Sequence, residues 1–246
     1  MFLKYMKYAI IAAGEGSRLA AEGVPVFKPL VKINGEPLID RLIRIFIENG
    51  GTEIVVICND RWPEVRKHLA ELKKRVTKEN NVIMHLVVKN TPSSMHSFYE
   101  LSRYLIDEPF CLTTVDTIFR ESEFAAYINE FKKNIMFGAC DGLMAVTDYV
   151  DDEKPLYVDV NTENEITGFL DVCDSCKYIS GGIYCLTPDV METLNHCMAA
   201  GKSRMRNFQR ALVADGRELK AYPFSKILDV DHASDIDKAE LFLKGT

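Results

Sequence analysis

The chain has 246 residues, 47% of them hydrophobic and 27% charged, which suits one large α/β domain or two small ones. Its net charge of −6 argues against nucleic acid or an anionic membrane as the main partner. No apolar stretch approaches transmembrane length, and the run 8–13 is too short for a signal peptide. Most of the seven cysteines lie in apolar runs, as small reduced hydrophobes do, so we expect a cytoplasmic protein.

The first half of the chain alternates strand-length apolar runs with segments of helical periodicity. Strands are expected at 7–13, 53–58, 82–88 and 110–116, and helices at 37–49, 62–75, 95–105 and 121–132. The helix from Pro37 has proline near its start and Asn49-Gly50-Gly51 past its end, which is the usual asymmetry of helix termini. This alternation indicates βαβ units around a mostly parallel sheet.

The second half of the chain has a different pattern: several strand-like runs follow one another without long helices between them. "GLMAVTDYV", "PLYVDVN", "EITGFLDV" and "KYISGGIYCL" indicate an antiparallel excursion from the sheet. Helices follow at 188–200 and 205–214, strands in "LKAYPF" and "KILDV", and a closing helix at 234–244. Because no linker or repeat interrupts the chain, we predict one Rossmann-like α/β domain over 1–246, with helices on both faces of the sheet.

The loop after the first strand contains two glycines and an arginine in the string "AAGEGSRL" (12–19). Glycines allow positive φ angles and let a ligand approach the main chain closely. Consecutive N–H groups in such a turn form an anion-binding concavity, and Arg18 adds a planar fork suited to phosphate oxygens. The loop is therefore predicted to bind phosphates.

Two common phosphate loops do not fit this string. A Walker loop requires Gly-x-x-x-x-Gly-Lys-Ser/Thr, which does not occur in the sequence. A dinucleotide fingerprint requires glycine where Leu19 stands, and an acidic residue ending the second strand, whereas Glu36 lies in the turn "NGEP". A third pattern fits at every point: Ala-Ala-Gly-x-Gly-Ser/Thr-Arg-Leu/Met, followed some ten residues later by Lys28-Pro29-Leu30.

This pattern resembles the signature of the nucleotidyltransferases that join an NTP to a phosphorylated acceptor, including sugar-1-phosphate nucleotidyltransferases and bacterial-type phosphocholine cytidylyltransferases. The resemblance implies an enzyme that transfers a nucleoside monophosphate and releases pyrophosphate. It implies catalytic roles for Arg18 and Lys28. It also implies nucleotide contacts from the loop residues Ala12, Ala13, Gly14, Glu15, Gly16 and Ser17.

An enzyme of this kind needs a divalent cation such as Mg²⁺, and hence carboxylates at strand ends near the loop. Asp116 follows "FCLTTV", and "ILDVDHASDIDKAE" (227–240) resembles the closing string of the family. The resemblance makes Asp116 and Asp231 the metal ligands, with Asp229 as a possible substitute for the second. Asp235 is more simply interpreted as the N-terminal cap of the last helix.

The remaining matches are looser. "KNTPSSMHSFYEL" (89–101) falls where the family contacts base and ribose, so Asn90, Ser94 and Ser97 are candidate nucleotide contacts, with turn and capping roles as the alternative. "SGGIYCLTP" (180–188) resembles the acceptor-side segment, which implies acceptor contacts from Gly181, Gly182 and Tyr184. The implied organisation is a nucleotide-binding part at about 1–137, an acceptor-side part at about 138–226, and a closing metal-ligand strand and helix at 227–246.

The identity of the acceptor stays open at this level. A sugar phosphate is preferred, followed by an amino-alcohol phosphate such as phosphocholine, while "SSMHSF" favours CTP as the nucleotide. The tyrosines at 149, 157, 178 and 184, with Phe169, are either contacts to such an acceptor or core residues of the antiparallel strands. A catalytically inactive nucleotide sensor is the alternative from another class. Cys173-Asp-Ser-Cys176 has no second pair at zinc-finger spacing, so neither a metal nor a redox role is expected there.

Overall fold

The structure, a computed structural model, describes residues 6–151 and 153–245. The elements of the first half are β1 (Lys7–Ala12), α1 (Ser17–Ala21), β2 (Lys32–Ile33), β3 (Glu36–Pro37), α2 (Leu38–Glu48), β4 (Glu53–Cys58), α3 (Pro63–Asn80), β5 (Ile83–Val88), α4 (Ser94–Ser102), β6 (Phe110–Thr114), β7 (Thr117–Ile118) and α5 (Glu121–Met136). Those of the second half are β8 (Gly142–Thr147), β9 (Tyr157–Val160), β10 (Ile166–Leu170), β11 (Tyr178–Leu186), α6 (Val190–Ala199), α7 (Met205–Ala214), β12 (Leu219–Phe224), β13 (Leu228–Asp229) and α8 (Ala233–Lys244).

Within these described ranges, nine strands form one sheet, in which seven follow the order β10-β9-β11-β6-β1-β4-β5. Strand β8 also pairs with β11, and β12 pairs with β8. Strands β6, β1, β4 and β5 are parallel to their neighbours in this group, whereas β11 is antiparallel to β6. Strand β8 runs antiparallel to β11, and the β9–β10 pair continues from the same strand. The predicted single α/β domain is confirmed, and the expected excursion is continuous with the central sheet.

Helices cover both faces of the sheet, because the side chains of a strand alternate between faces and both must be buried. All six residues of β1 are buried. Tyr8 and Ile10 belong to one core cluster, which includes Phe46 of α2, whereas Ile11 belongs to a second, which includes Phe98 of α4. Such strands lack the polar alternation of a half-exposed sheet.

Several predicted boundaries differ from the structure by a few residues, and two of them have a clear local reason. Helix α3 continues to Asn80, beyond the expected end at Arg75, and ends where Asn81 adopts a φ of 56°. Neither glycine nor proline occurs between these positions, so the helix continues to a residue that tolerates the left-handed conformation. Strand β6 ends at Thr114, which places Asp116 in the turn before β7.

Cys173 and Cys176 are joined by a disulfide, with their Cα atoms 5.5 Å apart. This differs from the expectation that the cysteines are reduced, because a two-residue spacer brings these two thiols close together in the loop after β10. The other five cysteines are buried and free, as small hydrophobic side chains. Among the described helices, none combines the length and the apolar character needed to cross a membrane.

Candidate active site

The glycine loop connects β1 to α1 and forms one wall of a cleft of about 680 Å³ at the carboxyl end of β1. Gly16 has a φ of 59°, and a Cβ atom there would lie 3.1 Å from Cβ of Lys28. A Cβ atom at Gly14 would meet nothing within 4 Å, so its backbone is open to a ligand. The two glycines therefore serve different purposes: Gly16 makes the turn compact, and Gly14 leaves room.

The cleft brings together most of the predicted nucleotide contacts. Its lining includes Ala13, Gly14, Glu15, Gly16, Lys28, Asn90, Ser94, Ser97 and Asp116. Ala12 is buried in the core at the end of β1, and Ser17 begins α1, so neither is among the lining residues. Their nucleotide-binding roles, like those of the lining residues, stay predictions.

Several lining residues were not predicted from the sequence, among them Thr91, Ser93 and Thr114. The Thr91 hydroxyl lies 2.6 Å from that of Ser97, so Ser97 already has a partner in the wall of the cleft. The buried Asn59 donates through Nδ2 to the carbonyl oxygen of Ala13 at 3.2 Å and to Asn90 Oδ1 at 3.4 Å. These contacts hold the wall and the glycine loop together. Small polar residues in a loop or at the end of a strand carry no distinctive spacing, so sequence patterns do not reveal them.

Lys28 lies in a 3-10 turn (Lys28–Leu30) that packs against Gly16. Its Nζ donates to the carboxylate of Asp116, and to Asp231 Oδ1 at 2.5 Å. Arg18 Nη1 donates to the other oxygen of Asp231 at 2.7 Å. The two predicted catalytic cations and the two predicted metal ligands thus form one connected ionic group.

Backbone pairing brings the distant aspartates together. Asp229 on β13 lies opposite Thr117 on β7, and the Val230 N–H donates to the carbonyl oxygen of Asp116 at 3.1 Å. Asp231 follows directly, and the Asp235 carboxylate accepts a bond from its backbone N–H at 3.1 Å. Asp235 also accepts from the His232 N–H at 2.8 Å. His232 is the N-cap of α8, so Asp235 contributes to capping from the third helical position and not from the N-cap itself.

Charge in this group is balanced across a largely buried contact. Burial disfavours the charged form of Lys28, but the adjacent Asp116 and Asp231 outweigh it and raise the pKa of the lysine. Burial likewise opposes ionisation of Asp116, but Lys28 outweighs it and lowers the pKa of that carboxyl group. Both groups are therefore ionised at neutral pH.

The donors at this position fit a hydrated divalent cation. Asp116 Oδ1 is buried and lacks a hydrogen-bond partner within the described residues, although its other oxygen contacts Lys28. Those residues contain no cluster of three or more His, Cys, Asp or Glu side chains arranged to hold a metal. Mg²⁺ characteristically uses one or two carboxylates and completes its shell with water and substrate phosphates, so Asp116 and Asp231 are a sufficient protein contribution.

A second, smaller cleft of about 150 Å³ adjoins this group, and its lining includes Arg18, Gly181, Asp229 and Asp231. A Cβ atom at Gly181 would lie 2.2 Å from Cδ1 of Ile227, which gives this glycine a packing role besides any contact with ligand. Gly182 has a φ of 73° beside Thr117.

Tyr184 lies below this surface. It is buried in the core and lines neither cleft, so the structure does not bring it to the position expected for an acceptor contact. Phe169 and Tyr178 are also packed in the core, as expected if these aromatics are core residues of the antiparallel strands.

The parallel strands, with the glycine loop and the ionic group at their carboxyl end, have the arrangement of open α/β proteins that place a ligand at this edge of the sheet. The family model described as nucleotidyl transferase matches residues 7–244, and the chain belongs to this family. It is 30% identical over 199 residues to the mannose-1-phosphate guanyltransferase of Schizosaccharomyces pombe, an alignment covering 77% of this chain and 52% of that protein. The chain thus spans about half the length of the curated relatives it matches first.

Solved structures share the fold across nearly the whole chain. The inositol-1-phosphate CTP transferase from T. maritima is 20% identical, with a TM-score of 0.76 and 98% of each chain covered. A putative glucose-1-phosphate thymidylyltransferase from Bacillus anthracis is 17% identical, with a TM-score of 0.80, over 98% of this chain and 96% of that one. At these identities the likeness establishes the fold.

Proposed function

We propose that the protein transfers a nucleoside monophosphate from an NTP to a sugar phosphate and releases pyrophosphate, giving an NDP-sugar. The observation that carries the proposal is Lys28, held between Asp116 and Asp231 at the edge of the glycine-loop cleft. A cation at this position meets the negative charge that develops on the α-phosphate during attack. Five of the seven cysteines are buried free thiols, which supports a cytoplasmic location as part of the same proposal, with the Cys173–Cys176 disulfide as the exception.

The chain's own residues would act by binding and alignment. The N–H groups of the glycine loop and the Arg18 guanidinium would hold the β and γ phosphates, and Lys28 would lie beside the α-phosphate. A phosphomonoester has its second pKa at about 6, so the acceptor is already a dianion at neutral pH and needs no general base. The chemistry therefore requires charge neutralisation and an in-line geometry more than proton transfer.

Asp116 and Asp231 would hold the divalent cation, with Asp229 as the neighbouring carboxylate. When bound, such an ion neutralises phosphate charge and orients the triphosphate relative to the acceptor. Lys28 contacts both carboxylates. The lysine therefore limits the repulsion between them when metal and nucleotide are absent.

A sugar phosphate is supported by the names of two relatives, the mannose-1-phosphate guanyltransferase and a glucose-1-phosphate cytidylyltransferase of Salmonella typhimurium, which is 28% identical over 65 residues. The cytidylyltransferase match covers 26% of this chain. Its name is in keeping with the CTP preference expected from the sequence. The inositol-1-phosphate CTP transferase adds a polyol phosphate among proteins of this fold.

An amino-alcohol phosphate is the second candidate, favoured by the charge of the second cleft. Besides Asp229 and Asp231, its lining includes the carboxylates of Asp151, Glu153 and Asp235, against the cations Arg18 and Lys238. This excess of carboxylates suits a cationic head group. Tyr149 also lines the cleft, but the Lys226 ammonium already lies 3.8 Å from its ring centroid, so a cage for choline would require that lysine to move.

The test measures pyrophosphate release from a panel of NTPs with hexose, inositol and amino-alcohol phosphates, with Mg²⁺ or with EDTA. We expect one NTP and one acceptor class to give turnover that EDTA abolishes. Lys28→Ala should lower that turnover by about 10²–10³-fold, the scale of losing one contact to developing charge. Lys32→Ala, at an exposed lysine of β2, is the matched control and should leave it unchanged.

Two results would overturn parts of the proposal. Normal turnover by Lys28→Ala would remove the assigned role of this lysine. Tight NTP binding by the folded protein, without pyrophosphate release across the whole panel, would instead identify a nucleotide sensor.

A further inference from the structure

A third cavity lies beyond the Ile118 end of β7, whereas the aspartates lie at its Thr117 end. Its volume is about 470 Å³, and it is lined by Ile33, Asn34, Glu36, Arg41, Arg44, Arg120, Glu121, Ser122 and Leu243. We call it the arginine recess, after Arg41, Arg44 and Arg120. None of these residues lines either cleft of the candidate active site. Strand β7 nevertheless connects the two sites, because it lies between Asp116 of the candidate active site and Arg120 of the recess.

The carboxylates of the recess are already engaged by one of its arginines. Arg44 donates to both oxygens of Glu36, at 3.0 and 2.9 Å, and to both oxygens of Glu121, at 2.9 Å each. Arg44 also contacts Glu48 at 3.2 Å. Each bidentate pair uses two of the roughly four acceptor positions of a carboxylate. Because three arginines face two glutamates, the recess keeps a net positive charge.

Arg41 is a buried cation with an unused donor. Its side chain is 3% exposed, and Nη2 donates to the carbonyl oxygen of Phe119 at 2.8 Å. Its Nη1 is buried and has no hydrogen-bond partner among the described residues, and Nη2 lies 3.6 Å from the already paired Glu121. Burial lowers the pKa of Arg41, as for a cation whose charge its surroundings compensate incompletely.

Arg120 adds a second unused donor and the end of a helix. It is the residue before α5, a helix of 16 residues, and Ser122 of the first turn lines the recess. The guanidinium carbon lies 5.1 Å from the ring centroid of Phe242, and Nε has no partner within the described chain. A helix N-terminus carries a partial positive charge and free N–H groups, which favour a bound anion.

We propose that the arginine recess is a binding site for a phosphate-bearing small molecule, separate from the candidate active site. Phosphate oxygens would accept from the guanidinium groups of Arg41 and Arg120 and from the first turn of α5 in a charge-assisted geometry. Because Arg41 Nη1 and Arg120 Nε are closed to solvent in this structure, both side chains would have to turn toward the ligand. The cavity volume is within the range of small-molecule pockets, about 300–1,000 Å³, so an ester larger than inorganic phosphate can enter. Occupancy by water alone is the competing account of the unpaired donors.

The experiment is calorimetric titration of the intact protein with inorganic phosphate and with glycerol 3-phosphate, at constant ionic strength set with chloride. The titrations use an Arg18→Gln background, which weakens the glycine-loop site and leaves the recess untouched. Arg120→Gln should weaken binding of the tighter probe by about tenfold or more, the effect of losing a charge-assisted hydrogen bond. Arg103→Gln is the matched control, because Arg103 is exposed and also lies over a ring, that of Tyr104 at 4.9 Å.

Arg41→Gln should weaken binding to a similar degree, provided that circular dichroism shows a folded protein. If it does not fold, Arg120→Gln alone decides the question. Tighter binding of glycerol 3-phosphate than of phosphate supports the site and identifies an ester as its ligand, and equal binding supports it with free phosphate as the ligand. Equal affinities in Arg120→Gln and Arg103→Gln, or no binding beyond that of chloride, would overturn the proposal in favour of a water-filled recess.

Discussion

Val230 donates its backbone N–H to the carbonyl oxygen of Asp116, with an N–O distance of 3.1 Å. This bond extends the pairing of β13 with β7 and joins two segments that are far apart along the chain. It places Asp231, the next residue, against Lys28. Because backbone atoms make this connection, changes to the aspartate side chains should alter the chemistry of the site without separating the two segments.

The first prediction distinguishes Asp231 from Asp229. Asp231→Asn should raise the Mg²⁺ concentration for half-maximal turnover by at least about tenfold, because it removes a carboxylate that faces Lys28. Asp229→Asn, the matched change two residues earlier at the end of β13, should have a smaller effect. Magnesium titrations of pyrophosphate release measure both. The reverse ranking would make Asp229 the second ligand.

The pairing of these aspartates shows how far the sequence could predict the site. The resemblance of two separate sequence strings to family motifs identifies Asp116 and Asp231 as metal ligands. The structure brings both carboxylates into contact with the same lysine, Lys28. Tyr184 was identified in the same way but is buried, because β11 is covered on both faces over most of its length. An apolar strand does not indicate which of its side chains reaches the surface. That information comes from the packing of helices distant in sequence.

A second prediction separates the two loop glycines. Gly16→Ala should destabilise the protein by about 1–2 kcal/mol, since it places a Cβ atom at positive φ and 3.1 Å from Lys28 Cβ. Gly14→Ala should leave the unfolding free energy nearly unchanged, because its Cβ atom meets nothing within 4 Å. It should nevertheless weaken nucleotide binding if phosphates approach this backbone. Urea unfolding measures the change in stability, and NTP titration measures the change in binding. A loss of stability in Gly14→Ala would contradict the conclusion that Gly14 serves ligand approach and not packing.

Regular elements were the easiest part of the fold to predict. Helix Met205–Ala214 and strand Leu219–Phe224 have the expected bounds, because their apolar periodicities are uninterrupted. The ion pairs that join Asp171 to Arg206 and Arg210 were not predicted. A contact between a loop and a helix well apart in sequence leaves no periodic signal, and exposed charges are compatible with many arrangements.

The third prediction uses that contact to test pH dependence. Asp171 accepts from Arg210 at 2.7 Å and Arg206 at 2.6 Å, and these bonds lower the pKa of the carboxyl group from its usual 3.8. A lowered folded-state pKa gives stability that is fully present above the unfolded value and is lost as the pH falls through the folded one. Asp171→Asn should therefore be less stable than the parent protein at pH 7, with the difference shrinking as the pH falls below about 3.8. Urea unfolding across this range measures it, and a constant difference would mean that the ion pairs contribute nothing.

The fourth prediction concerns Gly181, assigned to the acceptor by resemblance but also confined by packing. Gly181→Ala should cost about 1–3 kcal/mol, because the new Cβ atom would lie 2.2 Å from Ile227 Cδ1 in the core. Ile227→Val removes that atom and alone should cost about 0.5–1.5 kcal/mol. The double variant should then be more stable than the sum of the single effects predicts, as a double-mutant cycle of unfolding free energies would show.

The double variant also tests the binding role of this glycine. With the Cδ1 contact removed, the methyl group at position 181 still borders the second cleft. An acceptor held against this backbone should therefore bind less well than in Ile227→Val, whose residue also lines that cleft. We expect a raised KM for the acceptor and an unchanged KM for the NTP. If both KM values equal those of the parent protein, Gly181 is required by the packing of Ile227 alone, and the acceptor lies elsewhere.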